Sequence, residues 1–466
     1  MAVINPSIFR KCDVRGRAVA GERGKATLTP DAAFLVGRAF GTYLQERDIN
    51  QVVIGRDNRH TSPVLAQEVI NGMVRSGCHV VDLGMVSTPV VYWAAVQRGR
   101  IGGLMVTGSH LTPDMNGLKP CIGARSLCDD DLLSLRTLIE TDALIEGAGS
   151  ITVDISAREA YLDDVTARLP MTRSLRVVVD AGNGTAGLFA PRLLERWGHQ
   201  VECLFCEPDG DFPNHHPDPH QPETLRALAA KVRETGADLG IAFDGDADRL
   251  GVMDENGRSL SGDRLLALLA RDLLSRNPGA RVVADVLCSQ VLFDEIERAG
   301  GVPVMWKTGH GLMKAKMVET GALLGGELTG HIFPAENYFG FDDAFFAAGL
   351  LLQILANSDQ PLSALDTSLP TLFSTPEYRP HCDDENKAAV ISAVKESLIG
   401  RGEISEIDGL RVKFEHGWGL LRGSNTEPTL SMRFEGETEA DALAYRDLFF
   451  EALSGVSTEY SVPSTV

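Results

Sequence analysis

Asp244, Asp246 and Asp248 stand two apart in the run Phe243-Asp244-Gly245-Asp246-Ala247-Asp248, and Arg249 follows directly. Three carboxylates at that spacing on a glycine-containing loop can turn their oxygens onto one hard divalent cation. Arg249 then offers a planar fork for an anion held beside the metal. The apolar run Leu239 to Phe243 reads as a buried strand, so the acidic loop falls at a strand's C-terminal end, where α/β sheets bind ligands. A plain acidic surface loop explains less, because both flanks are apolar and charges crowded between buried strands need compensation. An EF-hand loop would use Glu255 at its twelfth position, but it needs Gly at the sixth, where Arg249 stands.

Three further loops carry reactive groups. Thr107-Gly108-Ser109-His110 sets a hydroxyl on a turn at a strand end, with Lys119 ten residues after Ser109. Ser109 fits a nucleophile or phosphate carrier, although an ordinary turn serine is the simpler reading of that loop alone. No G-x-S-x-G elbow is present. Glu327, Thr329 and His331 alternate and can face one side of an extended loop, within reach of sugar hydroxyls or a proton. A single His is more often structural. The loop around Arg422-Gly423-Ser424-Asn425-Thr426 combines a guanidinium, small polar side chains and closely spaced N–H groups. That set suits a phosphate cradle, and a solvated hairpin turn fits it equally well.

The elements that must position these loops alternate in type. Thr29 caps a helix that begins at Pro30, with Ala33, Gly37, Phe40 and Leu44 along one face. Strands are expected at 51–54, 79–83 and 101–106, with a helix from Ser62-Pro63 to Gly77 between the first two. This is βαβ rhythm, hence a largely parallel sheet. The pattern restarts at the strand 175–180 and again near Gly262, where 265–274 reads as helix and 281–286 as strand. The segments 102–110 and 325–331 look faintly alike, a hint of duplicated domains. Beyond Pro370 the texture becomes helix 387–398, strands 410–414 and 430–434, and a closing helix 439–453, a separate α+β unit.

A chain of 466 residues is too long for one core. Its net charge of -20 argues against a nucleic-acid partner, since no basic stripe exists to release counterions. An anionic substrate must then be drawn by a local cluster of Arg, Lys and metal. The N-terminus lacks a signal peptide's apolar core, and the apolar stretch 344–356 is too short to span a bilayer, so a cytoplasmic location is expected. Eight scattered cysteines then fit reduced thiols. Cys203 and Cys206 form a CxxC, but no second ligand pair stands nearby.

Taken in order, the loops resemble one family, the α-D-phosphohexomutases, in particular the bacterial phosphomannomutase/phosphoglucomutase branch. The likeness covers nearly the whole chain. It runs from Phe9-Arg10 and Asp13-Val14-Arg15-Gly16 through Gly55-Arg56-Asp57, Thr107 to His110, Asn116 to Lys119 and Asp180 to Gly184. It continues through 209–219, Asp244 to Arg249, Thr308-Gly309-His310, Glu327 to His331, Phe339 to Asp343, and Arg422 to Pro428.

The resemblance implies three related α/β domains with mixed sheets and a C-terminal α+β domain around a central cleft. The expected divisions are 1–155, 156–257, 258–370 and 371–466. Ser109 would carry a phosphoryl group, and Asp244, Asp246 and Asp248 would bind Mg2+ together with Ser109. His331 resembles the general base, with Lys119, His110 and Arg15 assisting proton transfer or steadying charge. Arg249, Thr308, Gly309 and His310, and the loop Glu327, Leu328, Thr329, Gly330 and His331, would contact the sugar phosphate. Arg422, Gly423, Ser424, Asn425 and Thr426 would clamp the phosphate that is not reacting. The implied reaction moves phosphate between the 1- and 6-positions of mannose or glucose through a bisphosphorylated sugar, with glucose 1,6-bisphosphate or mannose 1,6-bisphosphate as activator. Phosphoglucosamine or phosphopentose mutases, a phosphatase and a non-catalytic sugar-phosphate binder are the alternatives. Small-molecule sugar phosphates are the expected partners, with no nucleic acid and no membrane, in a monomer or weak dimer. Three positions depart from the family pattern: Cys12 replaces Tyr, Leu111 replaces Asn and Leu287 replaces Lys.

Overall fold

The computed structural model describes residues 4–22, 24–424 and 428–460, with side chains as far as Val456. Four sheets follow one another along the chain. The first orders its strands Val14–Arg17, Met115–Ile122, Gly102–Val106, Gln51–Arg56, His79–Met85 and Ser150–Val153, with Arg125–Ser126 also paired to Met115–Ile122. The second runs Ser259–Leu260, Leu250–Asp254, Leu239–Phe243, Arg176–Asp180, Gln200–Leu204. The third runs Val302–Trp306, Arg281–Asp285, Leu324–Gly326, Ile332–Pro334. The fourth is antiparallel throughout, with Leu430–Gly436 and Gly417–Gly423 at its centre.

One relationship recurs in the first three sheets. Gly102–Val106, Leu239–Phe243 and Leu324–Gly326 each pair parallel on one side and antiparallel on the other. The loops 107–110, 244–248 and 327–331 leave the C-terminal ends of these three corresponding strands. The faint likeness between 102–110 and 325–331 is therefore a likeness of place in the sheet. Mixed pairing puts each loop where a parallel sheet changes direction, the position at which α/β sheets open a crevice.

The helix Pro30–Gln45 starts as expected, with Thr29 Oγ1 accepting from the Ala32 N–H at 3.2 Å and Pro30 in the first turn. Ala344–Ala356 is apolar apart from Gln353 and buried except along the half-buried face of Leu350, Gln353 and Ile354. Its Phe345 ring lies 5.2 Å from Phe243 and 5.7 Å from Phe189, which seats the third unit on the second. Asp343 caps this helix through the Phe346 N–H at 3.0 Å and accepts from the buried Tyr161 and Tyr338 hydroxyls. One apolar core, including Tyr92, Phe189, Phe243, Leu266 and Phe345, consequently runs through the first three sheets. The fourth sheet has its own core around Val390, Phe434 and Phe449. Among the described residues no helix is long and apolar enough to cross a membrane.

The expectation of eight reduced thiols needs correction. Cys12 and Cys128 are joined by a disulfide, their Cα atoms 4.0 Å apart, while the other six cysteines are free. A separation of 116 residues hides the pairing in the sequence, and only the antiparallel register of Val14–Arg17 on Met115–Ile122 brings that part of the chain back.

Candidate active site

The acidic loop is the connection of a tight antiparallel pair, since Phe243 faces Leu250 in the ladder. Its backbone turns on itself. Asp244 Oδ1 accepts from the N–H groups of Asp248 at 3.1 Å and Arg249 at 3.2 Å, and Ala247 takes a positive φ of 60°. All three carboxylates are buried, and each offers an oxygen within 4.8 Å of the others. Lys119 Nζ bridges Asp246 Oδ2 at 2.7 Å and Asp248 Oδ2 at 2.6 Å. Burial alone would lower the Lys119 ammonium, but Asp246 and Asp248 hold it above its ordinary range. Burial, then the neighbouring Asp248 and Asp246, push the Asp244 carboxyl well up. Asp248 goes the other way: burial opposes ionisation, but Lys119 and then His331 hold it well below the usual carboxylate range.

Ser109 reaches this loop from the first sheet. Its Oγ donates to Asp244 Oδ2 at 2.8 Å, and the residue is fully buried. The Ser109 backbone sits in the left-handed region, φ 48°, which costs a non-glycine residue free energy and is found where a loop is fixed for use. Arg59 fixes it. Its guanidinium, 0 % exposed, donates to the carbonyls of Ser109 at 2.8 Å, Leu111 at 2.5 Å, Thr112 at 2.6 Å and Met115 at 3.1 Å. Asp57 holds Arg59 Nε at 3.1 Å and the Gly108 N–H at 3.1 Å. Arg15 pairs with Asp13 and lies close enough to Asp246 and Asp248 to feel their charge. His110 is depressed well below the usual histidine range by burial and by Arg249 and Arg15, so it stands neutral among cations.

The third sheet supplies the 327–331 loop. Glu327 Oε2 receives His331 Nδ1–H at 2.7 Å, and its Oε1 receives the Gly309 N–H at 2.5 Å. Thr329 Oγ1 is 3.2 Å from the same His331 nitrogen. The Leu328 N–H donates to Asp285 at 3.2 Å, and Thr308 Oγ1 donates to the same carboxylate at 3.0 Å. Gly330 has φ 78°, and a Cβ there would stand 2.6 Å from the Leu250 carbonyl, so only glycine lets this loop lie against the acidic hairpin. His331 Nε2 is 3.3 Å from Asp248 Oδ1 and 3.2 Å from Arg249 Nε. Burial is the largest influence and lowers this ring, but the charge and hydrogen bond of Asp248 together with the hydrogen bond to Glu327 push the imidazole up to about 9. A donor from Arg249, in contrast, requires Nε2 unprotonated. The ionised Asp248 carboxylate beside the ring favours its protonated form. A cation on that carboxylate removes the largest raising influence and leaves Nε2 as an acceptor. His310 lies 6.1 Å from His331, ring to ring, and burial and Lys314 depress it well below the usual range.

From the fourth sheet, Arg422 Nε pairs with Asp408 at 2.9 Å, and its buried Nη2 has no hydrogen-bond partner among the described residues. Gly423 ends the strand Gly417–Gly423, and the Ser424 N–H bonds to the Thr429 carbonyl at 2.9 Å. Asn425 and Thr426 lie outside the described residues.

The donor set suits a hard cation. The acceptors are all oxygens; Asp246 Oδ1 is buried without a hydrogen bond among the described residues, and Asp248 Oδ1 meets the His331 ring at 3.3 Å. The remaining Asp246 oxygen takes the Thr88 hydroxyl at 2.5 Å.

Models of the four domains of phosphoglucomutase/phosphomannomutase match in order, the three alpha/beta/alpha domains at residues 6–142, 159–257 and 261–373 and the C-terminal domain at 379–452. A phosphomannomutase/phosphoglucomutase of Pseudomonas aeruginosa is 45% identical over 460 residues, covering 98% of this chain and 97% of that protein. The chain belongs to the phosphoglucomutase/phosphomannomutase family. A phosphoglucomutase of Neisseria gonorrhoeae is 43% identical over 446 residues, 94% of this chain and 95% of that protein. A crystal structure of a phosphoglucomutase/phosphomannomutase family protein from Burkholderia thailandensis superposes with a TM-score of 0.92 at 40% identity, covering 99% of this chain and 100% of that one.

Within this phosphoglucomutase/phosphomannomutase frame the three departures have different surroundings. Cys12 is in the disulfide. The Leu111 carbonyl is one of those held by Arg59. Leu287 is buried with Trp418 and Leu420 where the third and fourth sheets meet, and its carbonyl accepts from Arg433. Sequence reasoning missed Arg59, Thr88, Asp285 and Asp408, which hold the loops rather than face the substrate. Only Arg59 carried a signal, as a charge within a segment bounded by Asp57 and the helix start at Ser62.

Proposed function

We propose that this enzyme interconverts hexose 1-phosphate and hexose 6-phosphate, of glucose, mannose or both, through phosphorylated Ser109 and a bisphosphorylated sugar. The 2.8 Å contact between Ser109 Oγ and Asp244 carries the reading, because it sets a nucleophile from one sheet on a cation-suited oxygen cluster from another. In the first half-reaction the Oγ–P bond of Ser109 breaks as a P–O bond forms to the free sugar hydroxyl. That hydroxyl loses its proton to His331 Nε2, whose ring Glu327 holds through Nδ1. In the second half the bisphosphate, turned end for end, returns its other phosphoryl group to Ser109 Oγ. The serine proton leaves in that step to Asp244 Oδ2, the group that gave Oγ its proton when the Oγ–P bond broke, and the sugar oxygen set free takes the proton that His331 Nε2 received in the first half.

Lys119, Arg15 and Arg249 place positive charge around the oxygens between which the phosphoryl group passes, where preorganised charge is worth most. When bound by Asp244, Asp246, Asp248 and Ser109, Mg2+ supplies neutralisation of the carboxylates and polarisation of a phosphoryl oxygen. Arg422 holds the distal phosphate, and that anchoring positions the acceptor hydroxyl. Thr308, Gly309, His310 and the 327–330 segment read hydroxyls shared by both orientations of the sugar. These groups also explain how a protein of net charge -20 takes an anion. A trace of glucose 1,6-bisphosphate or mannose 1,6-bisphosphate would restore enzyme that has lost its phosphoryl group.

The test incubates purified protein with glucose 1-phosphate or mannose 1-phosphate, Mg2+ and a trace of bisphosphate. Formation of the 6-phosphate is expected. Release of inorganic phosphate without 6-phosphate would make it a phosphatase instead.

A further inference from the structure

The disulfide between Cys12 and Cys128 lies next to two segments that lead into the site, 12–15 and 308–311. Cys12 immediately precedes Asp13 and lies three residues before Arg15, which pairs with Asp13 and is close enough to Asp246 and Asp248 to feel their charge. Cys128 follows the strand Arg125–Ser126, and the next residue, Asp129, donates its N–H to the Lys11 carbonyl at 2.7 Å. The two sulfurs rest on the first turn of the helix His310–Thr320. A Cβ at Gly311 would lie 2.1 Å from Cys128 Sγ and 2.9 Å from Cys12 Sγ, so the sulfurs sit directly on bare backbone. The residues just before Gly311 are Thr308, Gly309 and His310, and the Gly309 N–H is tied to Glu327.

The packing matters because two thiols occupy more length than one S–S bond. Bonded sulfurs are about 2.05 Å apart. Atoms in non-bonded contact stand roughly 3.5–4.0 Å apart. Reduction therefore requires the pair to spread by more than an ångström. The Gly311 backbone closes one direction, and the Asp129 N–H bond to the Lys11 carbonyl ties the two cysteine-bearing segments to each other. Whichever side yields, a group of the site moves: the 308–310 segment or Arg15. A misplacement of about 1 Å at a reacting centre can cost about a hundredfold in rate.

We propose that Cys12–Cys128 is a thiol-exchange site at which low-molecular-weight thiols lower the activity and low-molecular-weight disulfides restore it. Cys128 is the more exposed of the two, so its sulfur is the one attacked. A thiol R–SH loses its proton and its thiolate attacks Cys128 Sγ. An R–S–S bond to Cys128 forms, the bond to Cys12 breaks, and Cys12 leaves as a thiolate that takes up the proton. A second R–SH displaces the mixed disulfide, giving R–S–S–R and the Cys128 thiol. Two R–SH are oxidised, one protein disulfide is reduced, and no net proton is gained or lost.

The activity readout rests on the phosphohexomutase reading above, whereas a peptide map does not. Full-length protein purified without reductant is blocked with an alkylating agent, digested and mapped by mass spectrometry. A cross-linked peptide pair containing Cys12 and Cys128 is expected, and dithiothreitol should convert both residues to the alkylated form. In parallel, glucose 1-phosphate turnover should fall about tenfold or more in kcat/KM on reduction and recover with oxidised glutathione. Hydrogen exchange across 308–312 should quicken in the reduced protein. The C12S/C128S variant should stay at the reduced value and ignore both reagents, and the wild-type comparison stands without it if that variant fails to fold. The proposal is overturned if both cysteines remain separately alkylable after oxidised glutathione, or if the linked and reduced forms turn over substrate equally. No turnover in either form would count against the mutase reading, and the peptide map would still decide whether the two sulfurs exchange.

Discussion

Ser109 Oγ donates to Asp244 Oδ2 at 2.8 Å although 135 positions separate the two residues. Each stands at the end of the strand that carries mixed pairing in its own sheet, so the contact is fixed by two buried ladders rather than by loop choice. If Ser109 carries the phosphoryl group, Ser109→Ala removes the acceptor and leaves the acidic hairpin standing. Intact-mass measurement of wild-type protein should show an added phosphoryl group that the variant lacks. Mutase turnover in the variant should fall by at least about a thousandfold. A phosphorylated Ser109→Ala protein would remove Ser109 from the reaction.

Arg59 makes a separate, structural prediction. It is buried, paired with Asp57 and bonded to the carbonyls of Ser109, Leu111, Thr112 and Met115. Arg59→Met keeps the apolar length but leaves Asp57 as a buried charge without its cation, a loss of about 3–5 kcal/mol. Chemical denaturation of the variant should show a clearly lower midpoint, and its Ser109 should lose phosphate occupancy because the left-handed turn is no longer held. An unchanged midpoint would mean that the loop holds itself.

How far the sequence discloses this molecule depends on whether a signal is local. The Asp244–Arg249 hairpin, the Thr29 cap and the helix Lys387–Leu398 were legible because periodicity and caps act over a few residues. Mixed sheets followed from the family resemblance alone; which strands carry the mixed pairing, giving three loops one place in three sheets, was not legible, since it depends on neighbours far along the chain. The stretch 344–356 was legible only as apolar and too short to span a bilayer; that it is a helix, and against which partner it packs, was not, because near-uniform apolarity has no face. Glu327 was expected to read sugar hydroxyls, and what the sequence did not show is that each of its oxygens, which can accept twice, already receives one bond, from Gly309 N–H and from His331 Nδ1. Alternation in sequence reveals a shared face, whereas the hydrogen bonds within that face need the fold.

His331 should report on the cation. With Asp248 bare, that carboxylate is the largest raising influence and the ring holds its proton up to about 9. A divalent ion on Asp248 cancels that influence, while burial and Arg249 continue to lower the pKa, so the folded value must fall. Titrating the His331 ring by NMR with and without Mg2+ should show a lower midpoint with the ion. Calorimetry just below the metal-free midpoint should show proton release on Mg2+ binding. Identical midpoints would separate His331 from the metal and weaken its case as the base.

Asp408 links the two halves of the substrate grip. Its Oδ2 accepts from Arg422 Nε at 2.9 Å in the fourth sheet and from the Thr308 N–H at 3.2 Å beside the third. Arg422 thus keeps one edge of its fork in the protein and has Nη2 to spare among the described residues. If that edge holds a phosphate, Arg422→Ala removes a charge-assisted hydrogen bond worth about 1.5–3 kcal/mol. The loss corresponds to about ten- to a hundredfold in kcat/KM, and it should be expressed mainly as a higher KM because a remote group is being released. Arg422→Lys should recover little, since a point charge cannot hold Asp408 and a phosphate in one plane. Asp408→Asn should raise KM as well, by loosening Thr308 and Arg422 together. A KM unchanged in Arg422→Ala would move the phosphate clamp elsewhere.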